Sequence, residues 1–427
     1  MAEGLTIKLP TQVEYILNKL MDAGFEAYIV GGCVRDKILG NTPNDWDICT
    51  NAKPDEIKEV FKNHKTIDTG IKHGTVTLVC RTANPACTQT YEITTYRIEG
   101  DYSDHRHPDS VNFVSDLIED LSRRDFTINA MAYNPQEGLI DPFNGFQDLE
   151  KWVIRCVGDP SRRFEEDALR IIRAIRFSLR YRFEISTRTR LAMKKHMKLL
   201  KNISKERISD ELTKIFLYSD FPITVNTYDN ISLLCGAIWL ILNNSPNGQK
   251  IAQINRILSR CNRTLDERLA VFFDSDHIAD DLTKLRFSKD IVKSSAAMRN
   301  HAYSLLQEAP CYPTAKANKA YVRSFLLSSG EDVALGAVNI VSCMIMDEAY
   351  TAYFDSFRDI LYEMIYSQED YNLYNLVING DDLKALGYKG AQIGKILNRL
   401  QRQWVLGNVE NRRKELLDAV ERDRLYL

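Results

Sequence analysis

Two adjacent glycines between a strand and a helix, followed shortly by an Asp-x-Asp pair, restrict this fold more than any other feature of the chain. The stretch reads Tyr28-Ile-Val-Gly-Gly-Cys-Val-Arg-Asp-Lys-Ile-Leu-Gly40, then Asn44-Asp-Trp-Asp-Ile48. Tyr28 to Val30 predicts a strand, and Cys33 to Leu39 predicts a helix ended by Gly40. Glycines at such a turn let backbone N–H groups approach a phosphate, beside a helix N-terminus that favours anions. Arg35 adds a charged donor to the same place.

Asp45 and Asp47 lie at i and i+2, so on a strand both carboxylates share one face. Like charges held that close are costly unless a cation neutralises them. Mg²⁺ takes oxygen ligands and binds through one or two carboxylates plus substrate phosphates. Taken singly, a Gly-Gly turn is an ordinary turn and an Asp-x-Asp an ordinary solvated pair. Together, after a strand, they point to metal-assisted phosphoryl or nucleotidyl transfer.

Two further stretches carry polar chemistry. Arg123-Arg-Asp-Phe-Thr-Ile-Asn-Ala-Met-Ala132 reads as a helix start capped by Asp125, with Ile128, Met131 and Ala132 buried. That reading leaves both arginines without a purpose. Glu166-Asp-Ala-Leu-Arg-Ile-Ile-Arg-Ala-Ile-Arg176 reads as one helix. At the helical period, Ala168, Ile171, Ile172, Ile175 and Leu179 fall at roughly 40–140° from Asp167, and Arg170, Arg173 and Arg176 spiral down the opposite side. By spacing alone Asp167 and Arg170 form a surface ion pair.

Gly31-Gly-x-Val-Arg-Asp36 with Asp45-x-Asp47 resembles the signature of the polymerase-β-type nucleotidyltransferase superfamily. With Arg123-Arg-Asp-Phe-Thr-Ile-Asn-Ala130 and Glu166-Asp-x-x-Arg170, it resembles more narrowly the class II tRNA nucleotidyltransferase and bacterial poly(A) polymerase family. The resemblance implies an α/β head domain followed by all-α neck, body and tail domains. It implies C, C and A addition to a tRNA 3′ end from CTP and ATP, without a template. Mg²⁺ on Asp45 and Asp47 is the implied cofactor. Gly32, Arg35, Arg124, Asp125 and Asn129 are the implied nucleotide-binding groups, Arg124 at the triphosphate and Asp125 at the sugar or its neighbours. Asp167 and Arg170 are implied to pair with the base, supported by Arg173 and Arg176. The same motifs serve A-adding enzymes and poly(A) polymerases, and an inactive RNA-binding relative would share the fold.

The pairing is chemically sound. A carboxylate accepts from the exocyclic amine that cytosine and adenine share, and a guanidinium donates to the neighbouring ring nitrogen. Uracil and guanine present the opposite pattern and leave groups unpaired. Glu92 offers a third carboxylate near the pair. In the family, a loop such as Tyr96 to Pro108 helps the switch from C to A, Ile140-Asp-Pro-Phe-Asn-Gly145 precedes a flexible connection, and Ile203 to Leu212 closes the neck.

Charge distribution supports an RNA partner. Residues 151–216 hold 18 Lys/Arg against 8 Asp/Glu in a chain whose net charge is −2. Such a segment is either a polyanion track or a set of solvated helices. Near the end, Gly387, Gly390 and Gly394 read equally as a tight helix–helix turn or as backbone opened toward RNA phosphates.

The chain divides into an expected head at 1–150, neck at 151–218, body at 219–310 and tail at 311–427. Past Gly158-Asp-Pro160 the periodicity is helical, with few strand signals. The nine scattered cysteines form no CxxC pair and suit reduced core thiols. The seven histidines make no metal-ligand spacing. No apolar run is long enough to span a bilayer and no signal-peptide layout is present. The expectation is a cytoplasmic protein with no membrane association and no obligate protein partner.

Overall fold

The computed structural model describes residues 5–71, 74–81, 88–99, 111–243, 248–273, 275–307, 317–345, 348–367 and 376–424. By internal packing the chain forms two compact units, Met1–Ile251 and Ala252–Leu427.

The first unit is built on a seven-stranded mixed sheet. Its strands are β1 (Ala27–Val30), β2 (Asp47–Thr50), β3 (Lys65–Gly70), β4 (Thr75–Arg81), β5 (Thr88–Thr95), β8 (Ala132–Asn134) and β9 (Gly138–Ile140). A separate ribbon pairs β6 (Arg97–Glu99) with β7 (Val111–Phe113). The order is β3-β4-β5-β2-β1-β8-β9, antiparallel except where β2 runs parallel to β5. All four residues of β1 are buried, as a central strand requires.

The helices packed about this sheet are α1 (Thr11–Asp22), α2 (Gly32–Ile38), α3 (Pro54–Val60), α4 (Leu117–Ser122) and α5 (Gly145–Glu150). The expected stripe of Val13, Ile16, Leu17 and Leu20 is the buried face of α1. One face of the sheet packs Tyr28, Val30, Cys49, Ala130 and Ala132 against Tyr96 and Leu121.

The segment after Gly145, expected as a flexible connection, is occupied by α5 and then β10 (Val153–Ile154). The turn before it is tied down. Asp141 accepts from the N–H groups of Gly145 (2.7 Å) and Phe146 (2.9 Å). A Cβ on Gly145 would lie 2.2 Å from the Thr127 carbonyl oxygen, so only glycine fits.

Five helices complete the unit: α6 (Pro160–Glu166), α7 (Leu169–Tyr181), α8 (Thr187–His196), α9 (Lys205–Tyr218) and α10 (Val225–Leu242). One strand, β11 (Glu184–Ile185), lies among them and pairs with β10. Helix α10 is long and apolar enough on average to cross a membrane, although no uninterrupted apolar run of that length exists in the sequence. Its window is 56% buried within the fold, which is the pattern of a core helix.

The second unit is helical among its described residues. It comprises α11 (Gly248–Leu258, starting in the first unit), α12 (Leu265–Phe272), α13 (Ile278–Lys284), α14 (Lys289–Gln307), α15 (Lys319–Ser329), α16 (Glu331–Met344), α17 (Glu348–Tyr366), α18 (Gly380–Ala385), α19 (Ala391–Val405) and α20 (Arg413–Arg424). The last three enclose a small core of Leu383, Leu400, Leu416 and Val420. Gly387 and Gly390 form the turn between α18 and α19, and Gly394 lies inside α19. Seven cysteines among the described residues are free and buried.

Candidate active site

The glycine turn shapes one wall of a cleft of about 880 Å³ in the first unit. Gly31 has φ +78°, and a Cβ there would approach Arg124 Nη1 to 2.7 Å. Two requirements therefore coincide: a left-handed backbone and close passage of a guanidinium. Gly32 opens α2 and lines the cleft. One turn on, Arg35 is buried. Its Nε and Nη2 donate to Asp36 Oδ1 at 2.9 Å, and its Nη1 donates to Asn129 Oδ1. Its guanidinium lies 5.1 Å from the Phe177 ring and 4.9 Å from the Tyr181 ring, while Tyr181 donates to Asp36 at 2.9 Å. Arg35 is thus locked before any ligand arrives.

The acid pair lies on the same cleft, with one correction. Asp47 is the first residue of β2, but Asp45 precedes the strand and is exposed. Strand alternation therefore does not present both carboxylates; the chain's entry into β2 does. Asp47 stands opposite Glu92 in the parallel ladder. Burial first, then Asp45 and Glu92, push the Asp47 carboxyl up to about 6 against the opposing Arg124. Among the described residues no group of three His, Cys, Asp or Glu is placed to hold a metal. Two oxygen donors under mutual repulsion do fit a divalent cation that takes its remaining ligands from phosphate.

The second signature forms a 3₁₀ turn at Thr127–Asn129, in place of a longer helix start. Asp125 is buried and engaged on both oxygens. Oδ1 accepts from the Phe126 N–H (2.8 Å) and Asn129 Nδ2 (3.0 Å), and Oδ2 accepts from Arg173 Nε (2.9 Å) and Nη2 (2.6 Å). Burial raises its pKa, but Arg173 and Asn129 prevail and hold it at about 2. Asp125 therefore anchors Arg173. Just upstream, Asp120 is 1% exposed and pairs with Arg123 (2.7 Å) and Arg124 (3.4 Å). Arg124 Nε is buried with no hydrogen-bond partner among the described residues.

The expected continuous helix over 166–176 is two helices. Helix α6 ends at Glu166, and Asp167 is extended, at φ −145° and ψ 102°. Its carboxylate caps α7, accepting from the Leu169 N–H at 3.0 Å. Nor does Asp167 pair with Arg170. It pairs with Arg207 of α9, at 2.7 and 3.3 Å. Arg170 donates to Glu166 (2.7 Å) and to the carbonyls of Arg163 and Arg123 (3.1 Å each). The arginine face of α7 is not solvated: Arg170 and Arg176 are buried. Arg176 bonds Glu211 at 2.6 Å, and Arg173 lies 3.7 Å from the same carboxylate. A spacing argument cannot foresee this, because the counter-charges come from other elements.

The structure brings the candidate residues together. Asp45, Asp47, Gly32, Arg35, Arg124, Asp125, Asn129, Asp167, Arg170, Arg173 and Arg176 all line the cleft. Ten cations and five aspartates line it, so its field favours a polyanion. Sequence reasoning missed Arg97, Arg123, Arg180, Arg207, Lys214 and Tyr218, which line it too. Asp120 was findable from its i+3 and i+4 arginines. Arg207 carried no signal beyond the basic run. Glu92 does not line the cleft, and the loop over 100–110 lies outside the described residues.

Residues 27–155 match the Poly A polymerase head domain family, and residues 182–234 match a domain described as a probable RNA and SrmB-binding site of polymerase A. The CCA-adding enzyme of Lactobacillus helveticus is 51% identical over 200 residues, covering 47% of this chain and 48% of that relative. The match thus spans about half the length of that relative. The CCA-adding enzyme of Streptococcus mutans is 34% identical over 420 residues, 96% of each chain. The crystal structure of the Bacillus stearothermophilus CCA-adding enzyme in complex with CTP superposes with a TM-score of 0.77 at 28% identity, covering 98% of this chain and 99% of that one. With the near-complete Streptococcus mutans match, these similarities show that the chain belongs to the CCA-adding enzyme family of nucleotidyltransferases.

Proposed function

We propose that this protein adds C, C and A to the 3′ end of tRNA, using CTP and ATP and releasing pyrophosphate. One observation carries the reading: the acid pair and the Asp167/Arg170 pair line a single cleft rich in arginine. The near-full-length CCA-adding relatives support it.

Mg²⁺ is the proposed cofactor, held by Asp45 and Asp47. When bound it lowers the pKa of the attacking 3′-hydroxyl and neutralises charge on the leaving pyrophosphate. The residues do the rest. Gly32 and Arg35 receive phosphates at the α2 N-terminus, and Arg124, whose guanidinium is partly exposed on the cleft, brings a further positive charge to the same place. Asn129 and Asp125 work indirectly, holding Arg35 and Arg173. Asp167 offers lone pairs to the amine of cytosine or adenine, while Arg170 is fixed by three acceptors beside it. Arg173 and Arg176 support the phosphates or the geometry of the base pair.

The proposed division is a head at 1–150, a neck at 151–218, a body at 219–310 and a tail at 311–427. The basic neck and the tail would hold tRNA, in a cytoplasmic protein.

Purified protein incubated with Mg²⁺ and tRNA lacking its 3′ end tests the reading. CTP alone should add two residues, and CTP with ATP should add three. Extension by ATP alone would indicate an A-adding enzyme or poly(A) polymerase. No extension under any condition would leave an RNA-binding relative.

A further inference from the structure

Helices α7 and α9 lie along the cleft in the same direction, linked first by Asp167–Arg207 and then by Arg173 and Arg176 with Glu211. On α9 the cleft side continues through Lys214 to Tyr218, at spacings that keep Arg207, Glu211, Lys214 and Tyr218 on one face. On α7 it continues to Arg180. Tyr218 stands about 16 Å along α9 from Arg207, and Arg180 about 15 Å along α7 from Arg170, at the helical rise. Neither can reach a base held by Asp167 and Arg170. The Arg35 guanidinium packs on Phe177 and Tyr181, so the phosphate cradle already lies in the far half of α7.

Tyr218 differs from the other aromatic group lining the cleft, the buried Phe177. It is an aromatic side chain, 59% exposed, at the end of its helix. The phenol hydroxyl could donate to a phosphate, whereas the ring offers a face to a base, and Tyr218→Phe separates the two. Two cations line the same end: Lys214, one turn before it, and Arg180. An aromatic face with adjacent cations is how single-stranded nucleic acid is held without regard to sequence.

We propose that Tyr218, with Lys214 and Arg180, forms a stacking platform for an unpaired base of the acceptor RNA, at the end of the cleft remote from the base-reading pair. The platform holds the second substrate, and it rests on the reading of the protein as an RNA-extending enzyme.

The test uses the full chain with Tyr218→Ala and Tyr218→Phe. The dissociation constant for tRNA lacking its 3′ end is measured by fluorescence anisotropy without nucleotide, alongside the KM values for tRNA and CTP. Stacking at this level predicts a rise of about 5- to 100-fold in the tRNA constant for Tyr218→Ala. CTP KM and melting temperature should be unchanged, and Tyr218→Phe should behave as the parent. Unchanged tRNA binding in Tyr218→Ala would overturn the proposal. So would a loss in CTP KM instead, or equal damage from Phe. If the parent protein binds tRNA but never extends it, the enzymatic reading fails while the binding comparison still decides the platform.

Discussion

At the scale of single residues, the cleft pairs Arg35, Asp125, Asp167, Arg170, Arg173 and Arg176 with fixed partners before substrate arrives. Asp47 is instead crowded by Asp45 and Glu92 and pushed up to about 6. Because the folded protein holds this proton more tightly than the unfolded chain, ionising Asp47 costs stability as pH rises from about 4 through about 6. A divalent cation removes that cost. Saturating Mg²⁺ should therefore raise the melting temperature more at pH 7.5 than at pH 5, with proton release on binding seen by calorimetry in two buffers at pH 5 and absent at pH 7.5. An equal gain at both values would contradict the assignment. Asp45→Asn and Asp47→Asn should each lower extension by about 10³-fold or more, the scale of lost metal-ion stabilisation, with the far-ultraviolet circular dichroism unchanged. Asp125 behaves oppositely. Held at about 2 by Arg173 and Asn129, it contributes stability that is present above about 4 and lost as pH falls toward 2. Acid unfolding of Asp125→Asn should show a shallower loss over that window.

At the scale of elements, the sequence was legible where local chemistry decides the outcome. The stripe of α1, the strand–glycine–helix turn and the strand at Ala27–Val30 follow from periodicity and turn residues alone. Three things did not. The break at Asp167 is invisible to a helical wheel, because no proline or glycine marks it; the carboxylate caps the next helix instead. Asp45 lies off the strand because β2 begins only at Asp47, where its pairing with Glu92 starts. The burial of the arginine face depends on Glu211, 35 residues beyond Arg176 on another helix. Glu211 is 3% exposed and holds both Arg173 and Arg176, so Glu211→Gln should lower stability by about 3–5 kcal/mol in chemical denaturation, the scale of a broken buried pair. A change below about 1 kcal/mol would show that the two helices are held by packing alone. Gly145→Ala should also destabilise, because the added methyl meets the Thr127 carbonyl, whose turn carries Asn129.

At the scale of the whole molecule, the residues proposed for the chemistry fall in one compact unit. Every group named for metal, phosphate and base lies within Met1–Ile251, as does the basic segment. A fragment ending at residue 251 should melt cooperatively and retain CTP binding, while losing affinity for tRNA to the extent that the second unit contributes to it. Failure of that fragment to fold would mean that the first unit depends on the second for its stability. The family resemblance is strongest in the glycine turn, the acid pair and the arginine-rich signatures of this unit and is recognisable again at 376–420; the helices between left few local marks because helices joined by short turns share their patterns with many folds.

The proposed function turns on base choice by Asp167 and Arg170 beside the acid pair proposed to hold the metal. It is tested most directly by kcat/KM for CTP, ATP, UTP and GTP on tRNA lacking its 3′ end, in the parent and in Arg170→Ala. The parent should favour CTP and ATP. Arg170→Ala should lower that preference by about tenfold or more, the scale of a lost base-reading hydrogen bond, with Mg²⁺ affinity unchanged. Unaltered discrimination against UTP and GTP in Arg170→Ala would contradict the account.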